Sequence, residues 1–393
     1  MRLQMKKTLI LRQILWVIFG LGLIGLVFSF GDLSRVGYEV SKTFWLKWWV
    51  RLLVLGLWGY IFIIPNFNLK PIKKKISLSL GLLIAVTLIS AAAGVNWQQS
   101  LWGNYYRGDG LMTWWHLIIL GLAGRWLFPQ KEIKKLLPVS LFMSWSLLVI
   151  GSWWPEIGHL WQLGFGNPNI AAGFIVVCTP LIIFLARERF LILKIAVFII
   201  SMMTVVYLQA WGAVASLGLG LVMFWLLKQP RLRHWVVILL LLSWVGGIVC
   251  LMNIVPVGNS QFTESRVRIY HKLSRAVIRR PVFGWGFANV DMAFESIDWP
   301  VAVTQDVYID KAHAWFLEMA VTTGLLGLGI YLFLLGNIYT QTMASAKINH
   351  PWTQALLLTF LIYIFHSQTN VTSVAEDAVF WICLGLLIDI RNS

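Results

Sequence analysis

The chain has 393 residues, of which 59% are hydrophobic and only 12% are charged, and its formal net charge is +16. This composition indicates a polytopic membrane protein rather than a soluble domain. The basic residues are spread over many short loops, which argues against nucleic-acid binding and is typical of positive-inside bias and contact with anionic lipid heads.

Twelve apolar segments are each long enough, at roughly 20 residues, to cross a bilayer as a helix. In chain order they lie near 13–30, 44–64, 76–94, 111–128, 136–154, 169–186, 192–209, 212–227, 235–255, 313–337, 353–370 and 376–390. The stretch 192–227 is the least clearly divided, because only Gln209 to Gly212 separate its two spans. The predicted fold is therefore all-α, one integral membrane domain over 1–393 with about twelve transmembrane helices.

The distribution of lysine and arginine predicts the orientation. With both termini in the cytoplasm, the inside segments carry the basic clusters, whereas the outside loops 96–110 and 155–168 contain only Arg107. The long loop 256–312 is the exception, because it falls outside with seven cations. Long loops follow the charge rule weakly, so the exception does not overturn this topology.

Within the long loop, Thr263 is expected to cap a helix that runs to about Arg279, and Pro281 cannot continue it. Its cations recur on one face and its apolar residues on another, which predicts an amphipathic helix suited to the membrane surface. The cationic stripe comprises Arg268, Lys272, Arg275 and Arg279, and the apolar face comprises Tyr270, Leu273 and Val277. Two interpretations stay open, a lipid-anchored connector without chemistry and a binding surface for a lipid-linked phosphate.

His313 lies where the long loop re-enters the membrane. A lone histidine at such a boundary is more often a satisfied interfacial residue than a functional one. Asp310 precedes it by three residues and Glu318 follows about one turn later, so either carboxylate can orient the imidazole or stabilise its charged form.

Four short motifs follow one another between about residues 100 and 390. They are Ser100-Leu101-Trp102-Gly103 with Arg107 and Gly110, Gly166-Asn167-Pro168-Asn169, Arg266 with Pro281 and Gly284-Trp285-Gly286, and Asp310-Lys311-Ala312-His313 with Gly324 and Gly327. In order and spacing they resemble the O-antigen ligase and O-antigen polymerase superfamily. Three residues depart from its usual pattern: Ala314 after the histidine, Trp211 in place of an arginine, and Lys311 in place of an arginine, which keeps the charge but lacks the bidentate fork.

The resemblance implies a GT-C-like fold with amphipathic helices in the outside loop. It also implies a transferase that moves a glycan from undecaprenyl diphosphate to an acceptor hydroxyl at the outer face of the bacterial plasma membrane. Arg266 and His313 are the catalytic candidates, with the histidine as base and Asp310 or Glu318 orienting it. The residues expected to bind the diphosphate or glycan are Arg107, Arg268, Lys311 and Lys272.

The sequence has no Asp-x-Asp motif and no His/Cys cluster, so we expect a metal-independent reaction without a cofactor. The cysteines Cys178, Cys250 and Cys383 fall in apolar spans and are expected to pack as small hydrophobes. The expected partners are the lipid-linked glycan donor, an acceptor glycolipid, glycan or protein, and membrane lipids, but not nucleic acid.

Several activities share these motifs. A ligase, a polymerase of surface polysaccharide and a protein O-glycosylating enzyme are not separated, although the Gly-x-x-Gly pattern after His313 favours a ligase. A transporter of anions or other solutes is a rival interpretation, because many spans and a basic outside loop suit it. Against it, the sequence has no hydropathy repeat, no matched pair of broken helices and few charges inside spans. A membrane scaffold without catalysis is the remaining alternative.

Overall fold

A computed structural model describes residues 2–29, 38–63, 69, 71–153, 165–185, 190–229, 231–232, 261–299, 308–345 and 347–390. Its helices in chain order are α1 (Arg2–Val27), α2 (Tyr38–Ile63), α3 (Lys74–Ala93), α4 (Trp97–Trp102), α5 (Leu111–Leu127), α6 (Gln130–Trp153), α7 (Pro168–Leu185), α8 (Leu191–Tyr207), α9 (Trp211–Leu227), α10 (Gln261–Arg279), α11 (Val290–Glu295), α12 (Trp315–Met343), α13 (Pro351–Ser367) and α14 (Val374–Leu387).

Eleven of the twelve predicted spans coincide with helices, and the remaining one, 235–255, lies outside the described residues. Within the described residues, six helices are long and apolar enough to cross a membrane; these are α1 from Leu9, α2, α3, α6, α7 and α12. The helices α8 and α9 are apolar but shorter, and Gln209 with φ 55° lies at the predicted break between them. A polytopic all-α membrane protein is thus confirmed, whereas a count of twelve spans and the GT-C-like arrangement remain predictions.

The centre of the bundle is α7, whose side chains from Ile170 to Ile182 are buried. Helices α6, α8, α9, α13 and α14 surround it. The outer helices keep large apolar side chains exposed, among them Leu55, Phe62 and Ile192. A surface of this kind fits contact with lipid chains rather than water.

Glycines bring α5 and α14 into close contact. A Cβ atom added at Gly385 would overlap the carbonyl of Gly121, and one added at Gly121 would overlap the carbonyl of Trp381. Small residues allow backbones in a membrane to approach in this way. Because α14 begins with Val374 beside the candidate site, this contact also positions one wall of that site.

Helix α12 is broken at Gly324, where φ is 73° and ψ is 177°. The break leaves backbone groups without intrahelical partners, and the turn 281–286 supplies new ones. The amide of Trp285 donates to Val321 O at 2.9 Å, the amide of Gly286 donates to Thr322 O at 3.0 Å, and the amide of Leu325 donates to Pro281 O at 2.7 Å. Gly324 admits this turn, because a Cβ there would overlap Val282 O.

The predicted amphipathic helix exists as α10, beginning two residues before Thr263 and ending at Arg279 as expected. The predicted contact of its apolar face with the membrane surface is wrong. Tyr270 and Leu273 pack in a small core with Trp285, Phe294 and Leu317, so protein rather than lipid covers this side. The helix is thereby fixed against α11 and the first turns of α12.

The α5–α14 contact gives a stability prediction. Replacing Gly385 by alanine is expected to lower the apparent melting temperature in detergent, because overpacking of this kind costs roughly 1–3 kcal/mol. The matched control is Gly218→Ala in α9, where nothing lies within 4 Å of an added Cβ. A dye that reacts with the buried thiols Cys178 and Cys383 reports unfolding. Equal melting of Gly385→Ala and the wild type would contradict the close contact.

Candidate active site

A cavity lies where the starts of α2, α5, α12 and α14 meet, and the empty space there amounts to about 740 Å³ when the open solvent at its mouth is included. Four of the predicted site residues line it, namely Arg107, Lys311, His313 and Glu318. Three carboxylates that the sequence analysis did not single out line it as well, Glu39, Asp109 and Asp377. The aromatic rings of Trp114 and Trp315 complete the apolar part of its wall.

The loop before α5 presents Arg107 because glycines close it tightly. Gly103 has φ 85°, and a Cβ at Gly110 would overlap the amide nitrogen of Gly103. Between them, the side chain of Asn104 accepts a hydrogen bond from the Arg107 amide at 2.9 Å. The glycine spacing of the predicted motif is thus a requirement of this turn.

Two ion pairs join this loop to the segment before α12. Arg107 Nε donates to Asp310 Oδ2 at 2.5 Å, and Lys311 Nζ lies 2.5 Å from Asp109 Oδ2 and 2.7 Å from Glu318 Oε1. We call these contacts the ion-pair bridge. Its side chains are at most 18% exposed, so its charges interact more strongly than those of an exposed pair.

The pKa values follow from this pairing. Burial alone would lower the pKa of Arg107, but Asp310 outweighs it and raises that pKa. Burial alone would raise the pKa of Asp310, and Arg107 reverses this and lowers it. Burial likewise opposes the charge of Lys311, while Asp109 and Glu318 raise its pKa above the usual value. Arg107, Asp310 and Lys311 therefore stay charged at neutral pH.

His313 has a left-handed backbone, with φ 53°. A non-glycine residue seldom adopts this conformation, and such strain is concentrated at functional sites. Burial, together with the nearby cations Arg266 and Arg107, lowers the pKa of His313 to about 4, and Asp310 only partly opposes them. The imidazole is therefore neutral at pH 7 and keeps one nitrogen lone pair available as an acceptor.

The two carboxylates predicted to orient the imidazole contact other groups. Asp310 binds Arg107, while Glu318 binds Lys311 and accepts a hydrogen bond from the Ala312 amide at 3.3 Å. Their contacts therefore hold the backbone on either side of His313 rather than its ring. The hydroxyl of Tyr270 adds a hydrogen bond to the His313 carbonyl at 3.4 Å.

The cations of α10 lie in different surroundings. Arg266 is exposed but lies near enough to His313 to influence its pKa. Arg268 and Lys272 instead lie against the ring of Phe294, at 5.2 and 4.0 Å from its centroid. Neither of these two lines the cavity, because this part of the helix faces α11. Their predicted contact with the donor remains a prediction.

The sequence did contain signals for the residues that were missed. Asp109 follows Arg107 by two positions, and Lys311 follows Asp310 directly. The charges run positive then negative in the first segment and negative then positive in the second, so each can pair with its opposite when the two segments lie side by side. Glu39 accepts hydrogen bonds from Ser373 Oγ and the Val374 amide at the start of α14, both at 2.9 Å. Asp377 accepts one from Tyr363 at 2.7 Å. Ionisable residues in membrane spans are functional candidates by default, and the position of these carboxylates at span ends was therefore a signal for the site.

The ion-pair bridge generates a prediction. Lys311→Met leaves Asp109 and Glu318 without the ammonium between them, and we expect a loss of about 3 kcal/mol in unfolding free energy at pH 7. Because the unbalanced carboxylates take up protons more readily, the deficit should shrink as the pH falls from 8 to 5. Thermal unfolding across this range measures it, with the exposed Lys135→Met as control. A deficit that grows toward acid pH would refute the explanation.

Comparison with known proteins adds the family. Residues 175–332 match the family model described as O-Antigen ligase. The matched segment contains Arg266, the bridge residues Lys311 and Glu318, and His313, whereas Arg107 and Asp109 precede it. No curated protein matches the chain at a significant level. The match confirms the resemblance found in the motifs, and residues 175–332 are similar to the O-antigen ligase family.

Proposed function

We propose that this protein transfers a glycan from undecaprenyl diphosphate to an acceptor hydroxyl at the outer face of the bacterial plasma membrane. One observation carries the proposal: a neutral, conformationally constrained His313 lines a cavity together with Arg107 and Lys311, and Arg266 lies close by. An acceptor base and cations for a diphosphate leaving group are the two groups that this chemistry needs.

The donor's diphosphate gains charge as the sugar–phosphate bond breaks, so cations that face it stabilise the transition state. Arg266 is exposed on α10, so its guanidinium is accessible to an arriving donor. Arg107 and Lys311 are held by carboxylates, which fix their positions in advance. The phosphate oxygens then compete with these carboxylates for the same N–H groups, and a guanidinium can bind them in bidentate fashion.

The acceptor hydroxyl donates its hydrogen bond to the neutral imidazole of His313. As its oxygen bonds to the anomeric carbon, the proton passes to the imidazole nitrogen and the diphosphate departs with the bonding electrons. A bound diphosphate partly neutralises Arg266 and Arg107, the two cations that lower the pKa of His313. The donor therefore makes His313 a stronger base than it is in the empty site.

We further propose that this transfer needs no metal ion. Lys311 Nζ lies between the carboxylates of Asp109 and Glu318, a position that a divalent cation would otherwise suit. Arg266 and Arg107 then provide the positive charge that a metal supplies in other transferases. Transfer that persists in the presence of EDTA is the corresponding expectation.

Within the superfamily we favour a ligase, as the Gly-x-x-Gly pattern suggested, and keep a polymerase and a protein-glycosylating enzyme as alternatives. The cavity wall from the α13–α14 connection carries Ser367, Asn370 and Thr372, whose polar side chains suit sugar hydroxyls. A panel of acceptors, comprising glycolipid cores, lipid-linked repeats and proteins, distinguishes the three activities.

The first test measures transfer from a pool of undecaprenyl-diphosphate glycans in purified, lipid-reconstituted protein with EDTA present. We expect His313→Ala to lower kcat by at least about 100-fold, the typical value of a general base. We expect Arg266→Ala to lower it by roughly 100-fold, as for a lost transition-state donor. The exposed Lys135→Ala is the control.

Each result has a different consequence. Wild-type transfer with both variants near its rate would refute the assignment of the site while leaving the transferase intact. A wild type that transfers to no acceptor would refute the transferase, and an anion-flux assay on the same liposomes would then test the transporter alternative.

The pH dependence gives a second prediction. Because the pKa of His313 is lowered from 6.5 to about 4, the base stays neutral to a lower pH than usual. We expect kcat/KM to be nearly constant from pH 8 to about 5.5, where a histidine with an ordinary pKa would lose about tenfold. Removing a nearby cation with Arg266→Gln should move the acid limb to higher pH. An acid limb near 6.5 in the wild type would contradict the prediction.

A further inference from the structure

Three tyrosine rings form an exposed aromatic surface beside the cavity. Tyr105 and Tyr106 belong to the loop before α5, and Tyr308 belongs to the segment before α12. Their ring centroids are 4.1, 5.7 and 6.5 Å apart, and the ring planes differ by only 33–39°. The residues are 74%, 46% and 43% exposed. We call them the tyrosine triad.

The triad lies next to the ion-pair bridge along both chain segments. Arg107 follows Tyr106 directly, and Asp310 follows Tyr308 by two positions. Arg107 lines the cavity and its guanidinium binds Asp310, so these two residues connect the aromatic surface to the cavity wall. A long ligand with one end in the cavity can therefore contact the triad with the part that lies outside.

Polar contacts hold one ring of the triad in place. The hydroxyl of Tyr308 donates to Asp291 Oδ2 at 2.7 Å, and Asp291 Oδ1 accepts from Gln99 Nε2 at 2.8 Å. Burial and then Asp291 raise the pKa of Tyr308, so its hydroxyl keeps the proton that it donates. The ring is therefore oriented before any ligand arrives, which reduces the entropy lost on binding.

The chemistry of the surface suits a sugar better than a lipid tail. The face of an aromatic ring is electronegative and attracts the weakly positive C–H groups on one side of a pyranose ring. Phenol hydroxyls at the ring edges can meanwhile exchange hydrogen bonds with sugar hydroxyls. The polar neighbours Arg107, Asp291 and Asp310 make this surface a poor site for an acyl chain.

We propose that the tyrosine triad is a binding surface for a glycan chain whose reacting end occupies the cavity. The inference rests on the proposed function, and it names the carbohydrate beyond the reacting sugar as the part that is bound. That carbohydrate belongs either to the lipid-linked donor or to the acceptor, and separate titrations of the two substrates distinguish these sources.

The test compares Tyr105→Leu/Tyr106→Leu, which removes two rings, with Tyr105→Phe/Tyr106→Phe, which keeps them. The control is Trp97→Leu, an aromatic of α4 that is 58% exposed and is not part of the triad. Donors carrying one repeat and many repeats are each titrated, and so is the acceptor. We expect the leucine pair to raise KM for the long-glycan substrate roughly three- to tenfold, with kcat unchanged. The phenylalanine pair should raise KM less than the leucine pair, because the rings remain and only the hydroxyls are lost, and Trp97→Leu should resemble the wild type.

A binding measurement that needs no transfer separates this inference from the proposed function. Saturation-transfer NMR is recorded with the oligosaccharide released by mild acid from the same lipid-linked pool. Signals with the wild type that vanish with the leucine pair support the triad even where no transfer occurs. Equal signals in both, or an equal loss of activity for short and long glycans, would overturn the inference while leaving the transferase proposal in place.

Discussion

The candidate site depends on the ion-pair bridge between the loop before α5 and the segment before α12. It joins two stretches that lie about 200 residues apart in the chain. Each charge of one segment lies against an opposite charge of the other segment, so only one alignment of the two segments pairs all of them. His313 lies two residues after Lys311, and a hydrogen bond donated by the Ala312 amide and one accepted by its own carbonyl flank its left-handed backbone.

The bridge also determines what the cavity is able to bind. Four carboxylates and two cations line the wall apart from His313, so the empty cavity does not carry a positive excess. A small free anion gains little there, because each cation already has a partner. A ligand that also brings a lipid tail, further phosphates near Arg266 and a sugar chain gains enough contacts to displace those partners. This arrangement favours binding of the specific substrate over binding of free phosphate.

Much of this was predictable from the sequence, because hydropathy and short motifs are local properties. Eleven spans, the end of α10, and the cavity residues Arg107, Lys311, His313 and Glu318 follow from them. The partners of those residues do not, because pairing across 203 positions between Arg107 and Asp310 is set by tertiary packing. For the same reason the apolar face of α10 was assigned to lipid. A hydrophobic face does not reveal whether protein or membrane covers it.

The break in α12 has a consequence for how this architecture can vary. The turn 281–286 and the stretch 321–325 are joined by backbone hydrogen bonds, and glycines at both positions leave no room for side chains. Each stretch must therefore keep its register, since a shift of one residue would bring a Cβ against a carbonyl. Substitutions that keep this register can alter what neighbouring side chains recognise without moving the histidine, so new specificities can arise while the chemistry is preserved.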